Sequence, residues 1–269
     1  MPRPFVPAGC TAYTRVFHPE PGARTDREPA VNHLFTRRSP SSGDRAAPSG
    51  AYARRVAISI CALLTRLLFL AIAEVQIDKV DIQPEAGRGV IIASNHRSLL
   101  DFFVGTLVFR RCRVYPRTFV RADFFTRPVL GRALRLVGAI PAGHGRSVGG
   151  TLKDASEVLG NGGIITIAPE GLIVPPEQRP NGIGKLRGGV GIMSCRYGTP
   201  ILLAAMRNTD TAWPLHRRTP ILRSPWNRPT ITVSFTWLPV QAGATPANVT
   251  RQVMHGLSTL LEIAERDQE

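Results

Sequence analysis

From residue 76 onward the chain alternates between two kinds of segment. Short β-rich runs, Gln76–Asp81, Gly89–Ser94, Pro116–Arg121, Gly163–Ala168, Pro200–Met206 and Thr230–Leu238, are interleaved with stretches of helical character near 99–109, 128–137, 147–160, 187–197 and 247–266. This alternation predicts an α/β fold, a mixed sheet flanked by helices. The last helical stretch carries Val249, Val253, Leu257, Leu260, Leu261 and Ala264 at spacings of three and four, which is one apolar stripe facing a core. With 269 residues and 43% of them hydrophobic, the chain has enough apolar material for one sizeable domain and is not disordered throughout.

The segments before residue 76 differ in kind. Residues 1–50 are rich in Pro, Ser, Gly, Ala and Arg without apolar periodicity, which predicts a disordered basic tail. Residues 51–75 read as a membrane-associating helix: Val56 to Ala73 carries a single charge, Arg66, and follows Arg54 and Arg55. A central arginine in a bilayer span costs about 2.5–3.5 kcal/mol, so a helix lying on a membrane or packed on the domain is expected over a span. Residues 76–269 then form the main domain.

Charge narrows the partners. Lys and Arg total 34 against 19 Asp and Glu, a formal net charge of +15, and all but three of the cations are arginine. Such a chain suits a polyanion: nucleic acid, an anionic membrane, or phosphorylated small molecules. No helix-turn-helix, zinc module or aromatic RNA-binding signature is present, which counts against nucleic acid. The four cysteines, Cys10, Cys61, Cys112 and Cys195, lie far apart with no metal-ligand spacing. No disulfide framework or structural zinc site is therefore expected, and the N-terminal prolines argue against a secretory leader and for an intracellular protein.

The most informative stretch follows the second β-rich run: Ser94-Asn95-His96-Arg97-Ser98-Leu99-Leu100-Asp101. On one continuous helix, residues five apart point in different directions, so His96 and Asp101 meet only across a strand-to-helix turn. Ser98, a good N-cap residue, predicts the helix start between them. A histidine with a carboxylate on one ring nitrogen has the other free to take a proton from a hydroxyl. Ser98-x-x-Asp101 is also a capping-box pattern, so Asp101 has a purely structural reading as well.

Asn95, His96 and Asp101 after a strand resemble the first motif of the glycerolipid acyltransferases, typified by lysophosphatidic acid acyltransferase. Further segments resemble that family in order: Arg121-Ala122-Asp123-Phe124-Phe125 as the basic segment before its second motif, Gly138-Ala139-Ile140-Pro141 as that motif's opening, Ala168-Pro169-Glu170-Gly171 as the centre of the third, Gly184-Lys185-Leu186-Arg187-Gly188-Gly189 as its Gly-Lys stretch, and Gly198-Thr199-Pro200-Ile201-Leu202-Leu203 as the fourth. The resemblance covers roughly residues 76 to 210. It implies an acyltransferase-like fold and transfer of an acyl group from acyl-CoA or acyl-carrier protein, as co-substrate, to the hydroxyl of a lysophospholipid such as 1-acylglycerol-3-phosphate, with no metal or bound organic cofactor.

His96 and Asp101 would be catalytic on that resemblance. Asn95, Arg121, Arg146, Glu170, Gly171, Lys185 and Arg187 would bind substrate, with backbone N–H groups at Glu170-Gly171 stabilising the oxyanion. The chain would act at the cytoplasmic face of an anionic membrane as a peripheral or monotopic protein, with no nucleic-acid partner. Two departures stand out. Leu172 and Ile173 replace the usual Thr-Arg after Glu170-Gly171, and His144 stands where the second motif ends in arginine, with Arg146 two residues on. Either Arg146, Lys185 and Arg187 supply the missing charge, or the acceptor is not lysophosphatidic acid. The alternative to an enzyme is a non-enzymatic basic protein binding anionic membrane or nucleic acid.

Overall fold

The computed structural model describes residues 48–82, 88–143 and 145–266. Most of the basic tail, and His144, lie outside the described residues. Seven strands form one sheet: β1 Glu74–Ile77, β2 Val90–Ser94, β3 Arg117–Arg121, β4 Ile140–Ala142, β5 Ile164–Ile167, β6 Ile201–Arg207 and β7 Thr230–Leu238. Their order is β1-β7-β6-β2-β5-β3-β4, with every neighbouring pair parallel except β6 and β7. The sheet is therefore mixed, as the alternating sequence predicts.

Helices cover both faces. α1 Pro48–Ile72, α2 Leu100–Cys112 and the short α6 Thr209–Ala212 pack on one face, against Val90, Ile92, Leu202 and Ala204. On the other face, α4 Val148–Gly160, α5 Gly189–Tyr197 and α7 Pro246–Arg266 cover Ile91, Ala93, Ile201 and Leu203. α3 Pro128–Leu136 lies in the connection between β3 and β4. β2 and β6 are buried along their whole length, because the central strands of this sheet are covered by helices on both sides and read as continuous apolar runs.

Two strands differ from the sequence reading. β1 starts at Glu74 and not Gln76, because it takes its register from β7, whose first residue Thr230 lies opposite Glu74. β4 has only three residues with Pro141 at its centre, too short and too proline-marked to read as a strand. It is tolerated as the last strand of the sheet, where one side of the backbone needs no partner.

α1 includes a 21-residue stretch, Tyr52–Ile72, of mean hydropathy 2.0, long and apolar enough by composition to cross a membrane. Ile58, Ala62, Thr65, Phe69 and Ile72 recur at spacings of three and four and are buried. This stripe lies along α2, with the Thr65 and Thr106 hydroxyls 3.4 Å apart. The opposite side of α1 leaves Ile60, Leu63, Leu64, Leu67 and Leu70 exposed.

α5 and α7 approach closely through Gly191, where an added Cβ would lie 2.1 Å from the Pro246 carbonyl oxygen and 2.6 Å from Thr250 Oγ1. Gly191→Ala is expected to lower the unfolding free energy by about 1–3 kcal/mol, the usual range for overpacking a tight contact. Chemical denaturation followed by circular dichroism checks this, and an unchanged midpoint would contradict the packing.

Candidate active site

β2 and β5 are adjacent parallel strands, so the loops leaving their carboxyl ends meet. The first loop carries Asn95, His96 and Arg97, and the second carries Pro169, Glu170 and Gly171. Ligand sites of open α/β sheets form at this edge.

The turn from β2 into α2 is organised by one carboxylate oxygen. Asp101 Oδ2 accepts hydrogen bonds from His96 Nδ1–H at 2.8 Å, Arg97 N–H at 2.6 Å and Ser98 N–H at 2.9 Å. An ionised carboxylate only accepts, so the Nδ1 proton is fixed and the lone pair of the neutral ring sits on Nε2. Among the described residues nothing pairs with Nε2, and the His96 side chain keeps 27% of its surface open to solvent while Asp101 keeps 6%. The contact to the His96 ring and the capping of the turn's backbone thus fall on one atom of Asp101. Ser98 does not cap as expected: α2 begins after Leu99, and Ser98 Oγ donates to the Trp213 carbonyl oxygen at 2.8 Å while accepting a long bond from Leu100 N–H at 3.2 Å. Asp101 has taken over the turn's orphan N–H groups.

Asn95 and Glu170, both expected to bind substrate, are placed as clamps. Asn95 is 1% exposed, and its amide pairs with the backbone of Met206 in both directions: Nδ2 donates to the carbonyl oxygen at 2.8 Å and Oδ1 accepts from N–H at 2.7 Å. The side chain prolongs the β2–β6 ladder by one pseudo-residue beyond Ser94 and fixes where His96 leaves the sheet. Glu170 is 3% exposed. Its Oε2 accepts from His96 N–H at 2.6 Å across 74 residues of sequence, and its Oε1 accepts from Gly184 N–H at 2.7 Å. Burial pushes the Glu170 carboxyl above its ordinary value, and the two backbone donors hold it down.

Gly171 has φ +74, the left-handed region, and its N–H donates to the Ala168 carbonyl oxygen at 2.9 Å. That amide is committed to the turn and does not serve as the expected oxyanion donor. Arg187 packs on the bare face of this glycine, with Nε 2.7 Å from where a Cβ would stand, and its N–H donates to the Pro169 carbonyl oxygen at 2.8 Å. An exposed guanidinium therefore sits beside the Glu170 turn, with Lys185 exposed two residues before it.

Arg121 and Arg146 stand further along the same edge. Arg121 ends β3, two strands from β2, or roughly 10 Å at ordinary strand spacing, and Arg146 follows β4 beyond it. Both are ion-paired. Arg121 holds Asp123 through two bonds of 3.0 and 2.9 Å, which keeps that carboxyl below its ordinary value, and Arg146 pairs with Asp154 of α4.

Sequence reading missed a buried polar layer behind His96. Arg97 donates to the Gly182 carbonyl oxygen at 2.9 Å, and burial lowers its pKa. Arg179 pairs with Asp210 at 2.8 Å with its side chain only 4% exposed. These contacts tie the loop over residues 176–187 to the turn between β2 and α2 and to α6. Their residues lie far apart in sequence and match no local pattern, so no signal in the chain announces them. Among the described residues, no group of three or more His, Cys, Asp or Glu side chains is arranged to hold a metal ion.

A histidine held by a carboxylate through Nδ1, with Nε2 open at the carboxyl edge of an α/β sheet and beside exposed cations, is an arrangement able to take a proton from a hydroxyl. The acyltransferase family model matches residues 74–207, the span that contains all these features. The chain belongs to the acyltransferase family and is an acyltransferase enzyme, which sets aside the reading as a non-enzymatic basic protein. Its fold is similar to the crystal structure of the 1-acyl-sn-glycerophosphate (LPA) acyltransferase PlsC from Thermotoga maritima, with a TM-score of 0.59 at 16% identity, over 80% of this chain and 81% of that one. No curated protein sequence matches.

Two substitutions test the clamps. Asn95→Ala strands a buried N–H and a buried carbonyl of Met206 and is expected to cost about 2–4 kcal/mol of unfolding free energy. Gly171→Ala is expected to cost about 1–2 kcal/mol in backbone strain while displacing Arg187, so activity falls further than stability. Denaturant titration beside an activity assay separates the two, and an Asn95→Ala protein of full stability would contradict the clamp.

Proposed function

We propose that this enzyme transfers a fatty acyl group from the thioester of acyl-CoA or acyl-carrier protein to the hydroxyl of a lysophospholipid such as 1-acylglycerol-3-phosphate. The observation that carries the reading is the 2.8 Å bond between His96 Nδ1 and Asp101 Oδ2, which leaves Nε2 open as a base. Nε2 takes the acceptor's hydroxyl proton as the oxygen attacks the thioester carbonyl. The tetrahedral adduct collapses by breaking the carbon–sulfur bond, and the imidazolium returns its proton to the leaving thiolate. Products are an ester and a free thiol, no acyl-enzyme forms, and no cysteine lies within the catalytic turn or the Glu170 turn.

Arg187 and Lys185 are the cations offered to the acceptor phosphate, since both are exposed beside the Glu170 turn and arginine suits bidentate contact with phosphate. Arg121 and Arg146 contribute to the field along the edge, with their carboxylate partners holding them in place. The membrane partner is an anionic surface at the cytoplasmic face. α1 would lie there as a monotopic helix, its exposed leucines in lipid and its buried stripe on the domain, with no role for nucleic acid.

Purified protein incubated with radiolabelled acyl-CoA and a panel of lysolipids is expected to yield diacyl product. His96→Ala and Asp101→Asn should each reduce kcat/KM by about 10²- to 10⁴-fold, the range of a positioned general base. Asp101→Asn should fold normally, because its amide oxygen still accepts from Arg97 and Ser98. Undiminished turnover in His96→Ala would sink the mechanism.

A further inference from the structure

The segment Trp213–Pro229, between α6 and β7, holds four arginines, Arg217, Arg218, Arg223 and Arg228, and no acidic residue. It also carries three exposed apolar side chains, Leu215 at 52%, Leu222 at 72% and Trp226 at 96%. A tryptophan with almost none of its surface covered contributes nothing to the fold. Arg217 and Arg218 are exposed, and neither side chain has a hydrogen-bond or ion-pair partner among the described residues.

The loop is nonetheless held at both ends. At its root, the Trp213 carbonyl oxygen accepts from Ser98 Oγ at 2.8 Å, inside the catalytic turn, and Ile221 N–H donates to the Ala212 carbonyl oxygen at 2.9 Å. At its far end, Arg223 N–H donates to the Ala71 carbonyl oxygen at 3.1 Å and Arg228 Nη1 donates to the Leu70 carbonyl oxygen at 2.6 Å. α1 has no basic residue in its own last turn, so the loop supplies the cation that its carbonyls favour. Trp226 and Leu222 therefore stand next to the end of α1, where Leu67 and Leu70 are exposed. A groove of about 950 Å³ runs along α1 from Arg228, past Leu70, Arg66 and Leu63, to Arg55.

Protruding tryptophan and leucine with surrounding arginines and no acid is the chemistry of a membrane interface. The aromatic ring sits at headgroup depth and each cation engages lipid phosphate. We infer that the loop Trp213–Pro229 is a second membrane anchor, continuous with α1, which docks on an anionic phospholipid bilayer through Trp226, Leu222, Arg217 and Arg218. The anchor rests on the membrane reading of α1 given above and is independent of the chemistry assigned to His96. Because its root is bonded to Ser98, docking would set the catalytic turn at the lipid surface from which an acceptor is drawn.

The test uses the full chain with vesicles of phosphatidylcholine containing phosphatidylglycerol, in the absence of acyl donor and acceptor. Brominated phosphatidylglycerol is expected to quench tryptophan emission, and Trp226→Phe should remove most of that quenching while Trp213 and Trp237 remain. Arg217→Gln with Arg218→Gln should weaken vesicle binding about 10- to 30-fold at low salt, two surface charges' worth. The same pair should lose the preference over pure phosphatidylcholine. His96→Ala should bind vesicles like the parent, so a failure of the anchor and a failure of the catalytic reading are told apart. Trp226, Arg217 and Arg218 are exposed, and unchanged circular dichroism confirms the fold of each variant. Quenching that persists in Trp226→Phe, vesicle binding indifferent to the two arginines, or a concentration-dependent dimer abolished by Trp226→Phe without lipid contact would each overturn the anchor.

Discussion

Asp101 Oδ2 is the atom on which the active-site turn depends. It accepts three N–H groups from three successive residues, one from the His96 ring and two from the backbone of Arg97 and Ser98. A charged acceptor shared in this way satisfies two backbone N–H groups of the turn that leads into α2, sets the path of that turn, and fixes the imidazole tautomer at the same time. The turn's backbone and the His96 ring thus depend on one atom, and the 3.6-residue helical period explains why. Histidine lies before the helix and aspartate within its first turn, so only a turn that folds back brings them together.

Around that atom the fold builds two longer-range clamps. Asn95 fastens the start of the turn to β6, and Glu170 fastens its middle to the loop after β5, which itself reaches Gly184. Each clamp uses buried side-chain groups on backbone donors and acceptors that would otherwise be unsatisfied, the arrangement that low-dielectric burial makes costly to break. The cations follow from the clamps. Gly171 adopts a left-handed conformation in the Glu170 turn, and its missing Cβ leaves the space that Arg187 occupies.

Much of this is legible in the amino-acid sequence. The apolar runs at Ile91–Ala93 and Ile201–Leu203 announce the central strands, the stripe from Val249 to Leu261 announces α7, and the spacing of His96 and Asp101 demands a turn between them. What stays hidden depends on pairs remote in sequence. Asn95 and Glu170 stand in motifs whose resemblance gives them a substrate role, and only partners 111 and 74 residues away, Met206 for Asn95 and His96 for Glu170, show that both side chains are engaged by backbone groups. The Arg179–Asp210 pair and Arg97's bond to Gly182 join a loop of ordinary composition to α6 and to the turn after β2, and β4 is too short to carry a period. Local pattern reports which face of an element is buried, whereas a clamp between loops is a property of sheet order.

The chemistry proposed for His96 depends on which nitrogen of its ring carries the proton. In the nitrogen NMR spectrum of the resting enzyme at a pH where His96 is neutral, with its resonances assigned by their loss in His96→Ala, Nδ1 should carry the proton and Nε2 should be bare. In Asp101→Asn that preference should relax or invert. A resting His96 protonated on Nε2, or a tautomer unchanged by Asp101→Asn, would contradict the claim that Asp101 poises His96 as the base.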